Sequence, residues 1–313
     1  MKRTMGAVLV LILCSGDFCP GAPLRFEKLS DHCYYLPLKE QDSFAAVITD
    51  EGILAINPPA EPDLKSAQDA LKRLSAKPVR WIAFTDIRYL QNAGTRYFAE
   101  HGAILIASEN FRKSQPVGND AQKSADLKTS FPWLYFGRQM HLFPSNLEIR
   151  ISAVQGKAWS GSDIVVFVPA EKVLFTGALY EPLFYPDIDA ALGGDILGWI
   201  DGMNQVIASV PLLKPAIVPK SKGKPQAKSA AKTEPEKTLE EAVIVVPARG
   251  DVSNLQSMKD LQEAAQKLRD ELSRRVKTGR VCEDFLLSGS ADPYRSFANL
   301  EAFIGQLCGA LNP

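Results

Sequence analysis

The residues best suited to chemistry stand in a short polar stretch that begins at Thr85, directly after the apolar run 79–84. This stretch contains Asp86, Arg88 and Gln91, and it opens a predicted helix. Asp86 is a carboxylate that can bind a metal or accept two parallel hydrogen bonds from a guanidinium group. Arg88 stays protonated at ordinary pH and is therefore a fixed cation. The stretch predicts an ion-paired corner with Asp86 as its one credible metal ligand.

Other catalytic patterns are missing from the sequence. A catalytic zinc site needs about three protein donors, which are imidazole, thiolate or carboxylate groups. The chain has three histidines, His32, His101 and His141, and none stands in a ligand pattern. No Cys-x-x-Cys pair, Gly-x-Ser-x-Gly elbow or phosphate-binding glycine loop occurs.

The elements that must position the polar stretch are predicted from hydrophobic periodicity. Strands are expected at 26–37, 79–84 and 103–107, with a hairpin at 43–56 and a helix from residue 63 to 74.

A second block of elements follows a break near 112–145. A hairpin is predicted at 163–176, a helix at 197–210 and a strand at 242–246. Ser253 and Gln256 form a candidate capping box for a long amphipathic helix that reaches Val276. Two more short helices are expected to close the chain.

The order of these elements, with five short motifs, resembles the metallo-β-lactamase-like hydrolases. The first motif is the corner at Thr85, where the family has Thr-His-x-His-x-Asp-His. The opening hairpin ends at Asn57, where the family has Asp. The stretch 158–166 is similar to the His-Thr-x-Gly-Asp segment and keeps Asp163. The stretches 173–179 and 245–250 are similar to the Gly-Asp and Pro-Gly-His-Gly segments.

The resemblance covers residues 24–313 and implies an α+β fold, an αββα four-layer sandwich of two packed mixed sheets with outer helices. It also implies zinc, but the ligand positions are changed. The residues that match these positions are Asp86, Arg88, Leu90, Gln91, Trp159, Ala178 and Arg249.

These replacements predict no catalytic residue and no cofactor, because most of them offer zinc no donor. Asp86 is expected to pair with Arg88 or Arg249. One hypothesis is that this ion pair and the Trp159 indole close the former catalytic cleft. The other is that Arg88, Arg249 and Trp159 line a cleft for a small anionic or aromatic ligand.

The function expected from this resemblance is that of an exported pseudoenzyme, which binds a ligand or a partner protein and has lost zinc and hydrolysis. Two alternatives stay open. One is a hydrolase of the same superfamily that acts through a rearranged or non-standard site. The other is a structural component of the cell envelope, tethered to an envelope protein by a lysine-rich insertion.

Composition places the chain among ordinary globular proteins. It has 313 residues, of which 46% are hydrophobic, and 36 acidic residues balance 36 basic ones. The chain therefore has no overall excess of basic residues of the kind that binds nucleic acid. The segment 219–240 is rich in Lys, Ala and Pro and has almost no large apolar residue, so we expect it to be a disordered insertion.

The first 22 residues are typical of a signal peptide, with Lys2 and Arg3 before an apolar run that is too short to span a bilayer. Cleavage is expected near residue 16 or 22, and export to the periplasm or beyond follows. A lipid anchor at Cys14 is less favoured. No transmembrane helix is expected. In an oxidising compartment Cys282 and Cys308 could pair, or both could stay free thiols.

Overall fold

Two β-sheets form the centre of the molecule in the computed structural model, which describes residues 23–38, 42–113, 132–210, 242–277 and 283–312. The first sheet contains, in spatial order, β1 (Glu27–Lys28), β2 (Cys33–Leu36), β3 (Phe44–Thr49), β4 (Gly52–Ile56), β5 (Val79–Ala83), β6 (Ile104–Ser108) and β7 (Trp133–Phe136). The second contains, from one edge to the other, β8 (Gln139–Leu142), β9 (Ile149–Ala153), β10 (Ile164–Val168), β11 (Val173–Gly177), β12 (Ile244–Pro247) and β13 (Ser253–Asn254).

Helices cover the outer face of each sheet. Those on the first sheet are α1 (Leu64–Leu74), α2 (Ala93–Glu100) and α3 (Glu109–Lys113). Those on the second sheet are α4 (Ile196–Ser209), α5 (Leu255–Lys277), α6 (Glu283–Leu287) and α7 (Leu300–Leu311). The order of layers is therefore helix, sheet, sheet, helix, and the predicted four-layer sandwich is confirmed.

The central strands are apolar on both faces because each sheet is covered on both sides. Along β10, Ile164 and Val166 point into the core between the sheets, while Val165 and Phe167 pack against the outer helices. The same alternation occurs in β3, where Val47 faces the other sheet and Phe44 faces the helices of its own. This two-sided burial explains why the hairpins at 43–56 and 163–176 were predictable as apolar runs.

The parallel strands bring the functional corner to one edge of the molecule. β4 and β5 are parallel in the first sheet, and β11 and β12 are parallel in the second. The main-chain N–H of Ile164 donates to the carbonyl oxygen of Thr85 at 2.9 Å, and that of Ser43 donates to Ala248 at 2.7 Å. The carboxyl ends of β5, β11 and β12 therefore meet where the two sheets touch.

Three sequence-based assignments were wrong. The break expected near 112–145 contains β7 and β8, which are short strands at sheet edges. The strand expected at 26–37 is split into β1 and β2, because a turn at Ser30–His32 folds the two into an antiparallel pair. The proposed capping box at Ser253 is also wrong. Ser253 pairs with Val245 in β13, and the side chain of Asn254 instead accepts the hydrogen bond from Ser257 N at 2.9 Å.

Several predictions fall outside the described residues: the signal peptide at 1–22, the insertion at 219–240, and Cys282. Cys308 is disulfide-bonded, and Cys33 is a buried free thiol. Among the helices of the described ranges, none combines the length and hydrophobicity that a membrane crossing requires.

Candidate functional site

The corner after β5 is held rigid by its own hydrogen bonds. Asn57, in the left-handed region with a φ of 56°, donates from Nδ2 to Thr85 Oγ1 at 2.8 Å. Its Oδ1 accepts from Thr85 N at 2.9 Å. Asp86 then caps the 3₁₀ turn Ile87–Gln91, and its Oδ1 accepts from Arg88 N at 3.0 Å. Asn57 and Thr85 therefore fix the direction in which Asp86 and Arg88 leave the sheet.

Arg88 joins two carboxylates at the centre of the site. Its Nε and Nη2 donate to the two oxygens of Asp86 at 2.9 and 3.0 Å, which is a bidentate pair. Its Nη1 lies 3.0 Å from Asp42 Oδ2. All three guanidinium nitrogens are thus engaged, and the side chain of Asp86 is only 1% exposed.

Charge and burial act against each other in this pair. Burial raises the pKa of Asp86, and the charge of Arg88 opposes that shift. Burial alone would lower the pKa of Arg88, but the charge and hydrogen bonds of Asp86 outweigh it and hold this pKa above its usual range. Arg88 therefore remains a fixed cation between the two acids.

Asp42 is a second centre of the network, and it lies just before β3. Its Oδ2 accepts from the Tyr89 hydroxyl at 2.7 Å, and its Oδ1 accepts from Arg249 Nε at 2.6 Å. Asp42 thereby links Arg88 to Arg249, and Arg249 is not the partner of Asp86. Burial raises the pKa of Tyr89 well above its usual value, so its hydroxyl stays a donor.

Trp159 covers Arg88 from the loop between β9 and β10. The guanidinium carbon of Arg88 lies 4.1 Å from the centre of the indole ring, a cation–π contact. Asp163 shapes this loop, because its oxygens accept from Ser160 N at 2.8 Å and Ser160 Oγ at 2.7 Å. Burial raises the pKa of Asp163 to about 7, although both of these hydrogen bonds oppose the shift.

A cleft of about 250 Å³ remains open in front of this network. Its lining combines arginines, carboxylates and aromatic rings, namely Asp42, Arg88, Trp159, Ala178, Tyr180, Glu181, Phe184, Pro186, Asp187, Ala248 and Arg249. The ion pair and the indole therefore occupy one wall of the cleft without filling it.

The structure brings four of the seven proposed site positions to this cleft: Arg88, Trp159, Ala178 and Arg249. Asp86 lies behind Arg88. Leu90 packs in the core under α2, and Gln91 is exposed at the end of the 3₁₀ turn.

Three further residues of the site were not identified from the sequence. Asp42, Tyr89 and Glu181 belong to no motif that the sequence displays. The single available clue for Asp42 was its place beside the opening hairpin. Its role depends on tertiary contacts to Arg88 and Arg249, which are remote in sequence.

The residues present do not fit the zinc that the resemblance implies. Arg88 places a permanent positive charge against Asp86 and Asp42, and Ala178 and Leu90 have no donor atom. Within the described ranges, no group of three or more His, Cys, Asp or Glu side chains is arranged to hold a metal ion. The three histidines bond elsewhere: His32 to Glu171, His101 to the Tyr97 carbonyl, and His141 to Glu148.

Two stacked mixed sheets between outer helices, with a site at the edge where both sheets end, define the metallo-β-lactamase fold. The chain has this fold.

Solved structures of metallo-β-lactamases are similar to this chain throughout their length. The metallo-β-lactamase from Pontibacter korlensis superposes with a TM-score of 0.56 and 16% identity, over 78% of this chain and 99% of that one. DIM-1 metallo-β-lactamase exposed to ceftazidime superposes with a TM-score of 0.55 and 14% identity, over 79% of this chain and 98% of that one. VMB-1 superposes with a TM-score of 0.55 and 18% identity, over 79% of this chain and 99% of that one. No family profile and no curated protein sequence matches the chain.

Proposed function

We propose that this protein is an exported pseudoenzyme with the metallo-β-lactamase fold, which binds a small ligand in the cleft without zinc and without hydrolysing it. The observation that carries the proposal is the position of Arg88. Its guanidinium group stands between Asp86 and Asp42, where a zinc-dependent relative would need neutral or anionic ligands.

The ion pair supports a permanent exclusion of metal. A divalent cation next to Asp86 would have to displace a bidentate guanidinium and would then be repelled by it at close range. The Asp86 carboxylate is buried, so removing Arg88 from it would leave a desolvated charge without a partner. Breaking a buried ion pair in this way destabilises a protein by about 3–5 kcal/mol. Without a metal, water in the cleft is not activated in the way that zinc hydrolases require.

The open cleft supports a binding role. Its volume is near the lower end of ligand pockets, which is roughly 300 Å³. The side chain of Arg249 is 61% exposed at the rim and can contact an anionic or aromatic group, and Trp159 adds an aromatic wall.

Binding is tested by thermal shift and calorimetry of the purified protein against small carboxylates and aromatic compounds. We expect at least one class to bind, and Arg249→Ala to weaken it. Arg295→Ala is the matched control, because Arg295 is also an exposed arginine with one ion pair, at Asp292, and lies outside the cleft lining. Equal affinity in both variants would contradict the role of Arg249.

Hydrolysis is tested in parallel with β-lactam and thioester substrates and added zinc. We expect no turnover above the buffer rate. Zinc-dependent turnover that Asp86→Ala abolishes would instead support the rival hypothesis of a hydrolase with a rearranged site.

Export rests on the sequence of residues 1–22 alone. We propose cleavage near residue 16 or 22, which the mass of the protein isolated from its native compartment measures directly. An intact N-terminus in the cytoplasm would contradict export.

A further inference from the structure

We propose that the ligand of the cleft carries the head group of an α-amino acid, with its ammonium held by Glu181 and its carboxylate by Arg249. This inference deepens the proposed function and rests on it. It names a zwitterion where the sequence suggested an anion or an aromatic group.

The charges of the cleft lining lead to this class of ligand. Two arginines and three carboxylates line the cleft. One carboxylate, Asp42, already binds both arginines. Glu181 and Asp187 remain, and neither has a guanidinium or ammonium partner within ion-pair distance in the part of the chain that the structure describes. A purely anionic ligand would therefore meet two carboxylates that lack an ion-pair partner among the described residues, whereas an ammonium group would pair with one of them.

Glu181 is the better partner for the ammonium group. Asp187 is exposed and accepts a hydrogen bond from Gln306 Nε2 at 2.7 Å. Glu181 is partly buried and makes no hydrogen bond to any described residue, and burial raises its pKa, with Arg249 opposing the shift. A partly desolvated carboxylate without a hydrogen bond gains more from an approaching cation than a solvated one does.

Arg249 is the proposed partner of the carboxylate at the other end of the head group. Its Nε is bound to Asp42, but its two terminal NH₂ groups make no hydrogen bond to the described residues, and the side chain is 61% exposed. Gly250, the next residue, lies against Glu181: a Cβ added there would be 3.9 Å from Glu181 Cγ. Arg249 and Glu181 are therefore neighbours without a salt bridge between them. An amino-acid head group carries its two opposite charges on one carbon, so it can contact two neighbouring side chains of opposite charge.

The remaining lining sets the size and character of the ligand. Trp159, Tyr180 and Phe184 present aromatic side chains to a volume of about 250 Å³. This space suits a single amino acid with a planar side chain better than a peptide. Aromatic faces also favour a nearby ammonium group.

Three matched probes test the head group by calorimetry at mildly acidic pH, where the amines stay protonated. L-Tryptophan carries both charges, N-acetyl-L-tryptophan only the carboxylate, and L-tryptophanamide only the ammonium. We expect L-tryptophan to bind at least about tenfold more tightly than either analogue, equivalent to about 1.4 kcal/mol for each contact.

Isosteric variants assign each contact. Glu181→Gln should reduce the affinity for L-tryptophan to that for its N-acetyl analogue, and leave the analogue unchanged. Arg249→Gln should weaken both ligands that carry a carboxylate and spare the amide. Glu301→Gln, an exposed glutamate in the first turn of α7, is the control and should change nothing.

The outcomes separate this inference from the proposed function. If N-acetyl-L-tryptophan binds as tightly as L-tryptophan, the ammonium contact is wrong and a ligand-binding cleft survives. If the amide binds as tightly, the carboxylate contact is wrong. If none of the three probes binds, the head group is refuted, and the wider panel of carboxylates and aromatic compounds still decides the binding role.

Discussion

Arg88 is the residue on which the chemistry of this site depends. It satisfies both oxygens of a fully buried acid, reaches a second acid, and carries the indole of Trp159 on its face. One side chain thus neutralises the centre of the site, which in a zinc hydrolase would be neutralised by metal.

The first prediction concerns the loss of this cation. Arg88→Ala leaves Asp86 buried without a partner, so the free energy of unfolding should fall by about 3–5 kcal/mol. Arg88→Lys keeps the charge but loses the bidentate geometry, so its free energy of unfolding should lie between those of the wild type and Arg88→Ala. Urea denaturation measures both.

Arg249→Ala is the matched comparison for this prediction. Arg249 is mostly exposed, and Asp42 keeps Arg88 and the Tyr89 hydroxyl after its removal. The expected loss is below about 1 kcal/mol. If Arg249→Ala were as damaging as Arg88→Ala, the assignment of Asp86 to Arg88 would be wrong.

The second prediction concerns pH and Asp163. Its pKa rises from 3.8 to about 7 on folding, because the carboxyl is buried. As pH rises through that window, the unfolded chain loses the proton first, so the folded state binds more protons and stability falls. The slope is at most about 1.4 kcal/mol per pH unit.

Asp163→Asn should remove this part of the pH dependence, as measured by urea denaturation across the same pH range. Asp189→Asn is the control, because Asp189 is an exposed loop acid that also accepts a main-chain hydrogen bond. An unchanged slope in Asp163→Asn would mean that Asp163 is ionised in the folded protein throughout the window.

At the scale of the elements, the two sheets are in close contact at Gly177 and Thr85. Gly177 ends β11 with a φ of +59°, and a Cβ added there would lie 2.1 Å from Thr85 Oγ1. No methyl group fits at that distance, and Thr85 cannot retreat because Asn57 holds it.

The third prediction is that Gly177→Ala is strongly destabilising, by more than about 2 kcal/mol, since the clash adds to backbone strain. Gly156→Ala is the control: its φ is also positive, at +93°, but nothing lies within 4 Å of the added Cβ. Equal losses in the two variants by chemical denaturation would show that backbone strain alone, and not the contact with Thr85, sets the cost.

Elements were predictable where burial is two-sided or periodic. The hairpins at 43–56 and 163–176 and the helix α5 follow from apolar patterns, and the motifs at their ends indicated the fold. Local hydrogen bonding was harder to predict from the sequence. Ser253 and Asn254 are both residue types that cap helices, but Ser253 pairs with Val245 in the sheet, so Asn254 caps α5. Asp42 could not be found, because only tertiary packing brings it to Arg88.

At the scale of the whole molecule, the chain has the metallo-β-lactamase fold, while an ion-pair network of Asp86, Arg88 and Asp42 stands at the shared edge of the sheets. One hydrophobic core lies between the sheets, and one lies under the outer helices of each sheet. These cores are formed by apolar residues of the strands and helices, so they leave the loops that follow β5, β11 and β12 free to vary. One scaffold can therefore carry different chemistry at this edge, because function depends on the residues of the site and not on the fold.

Zinc binding tests whether Arg88 stands in the place of a metal. The most direct measurement is the zinc affinity of the purified chain, by competition with a chromogenic chelator and by metal analysis after gel filtration. We expect no stoichiometric zinc, in the wild type or in Asp86→Ala. One tightly bound zinc per chain that is lost in Asp86→Ala would contradict it.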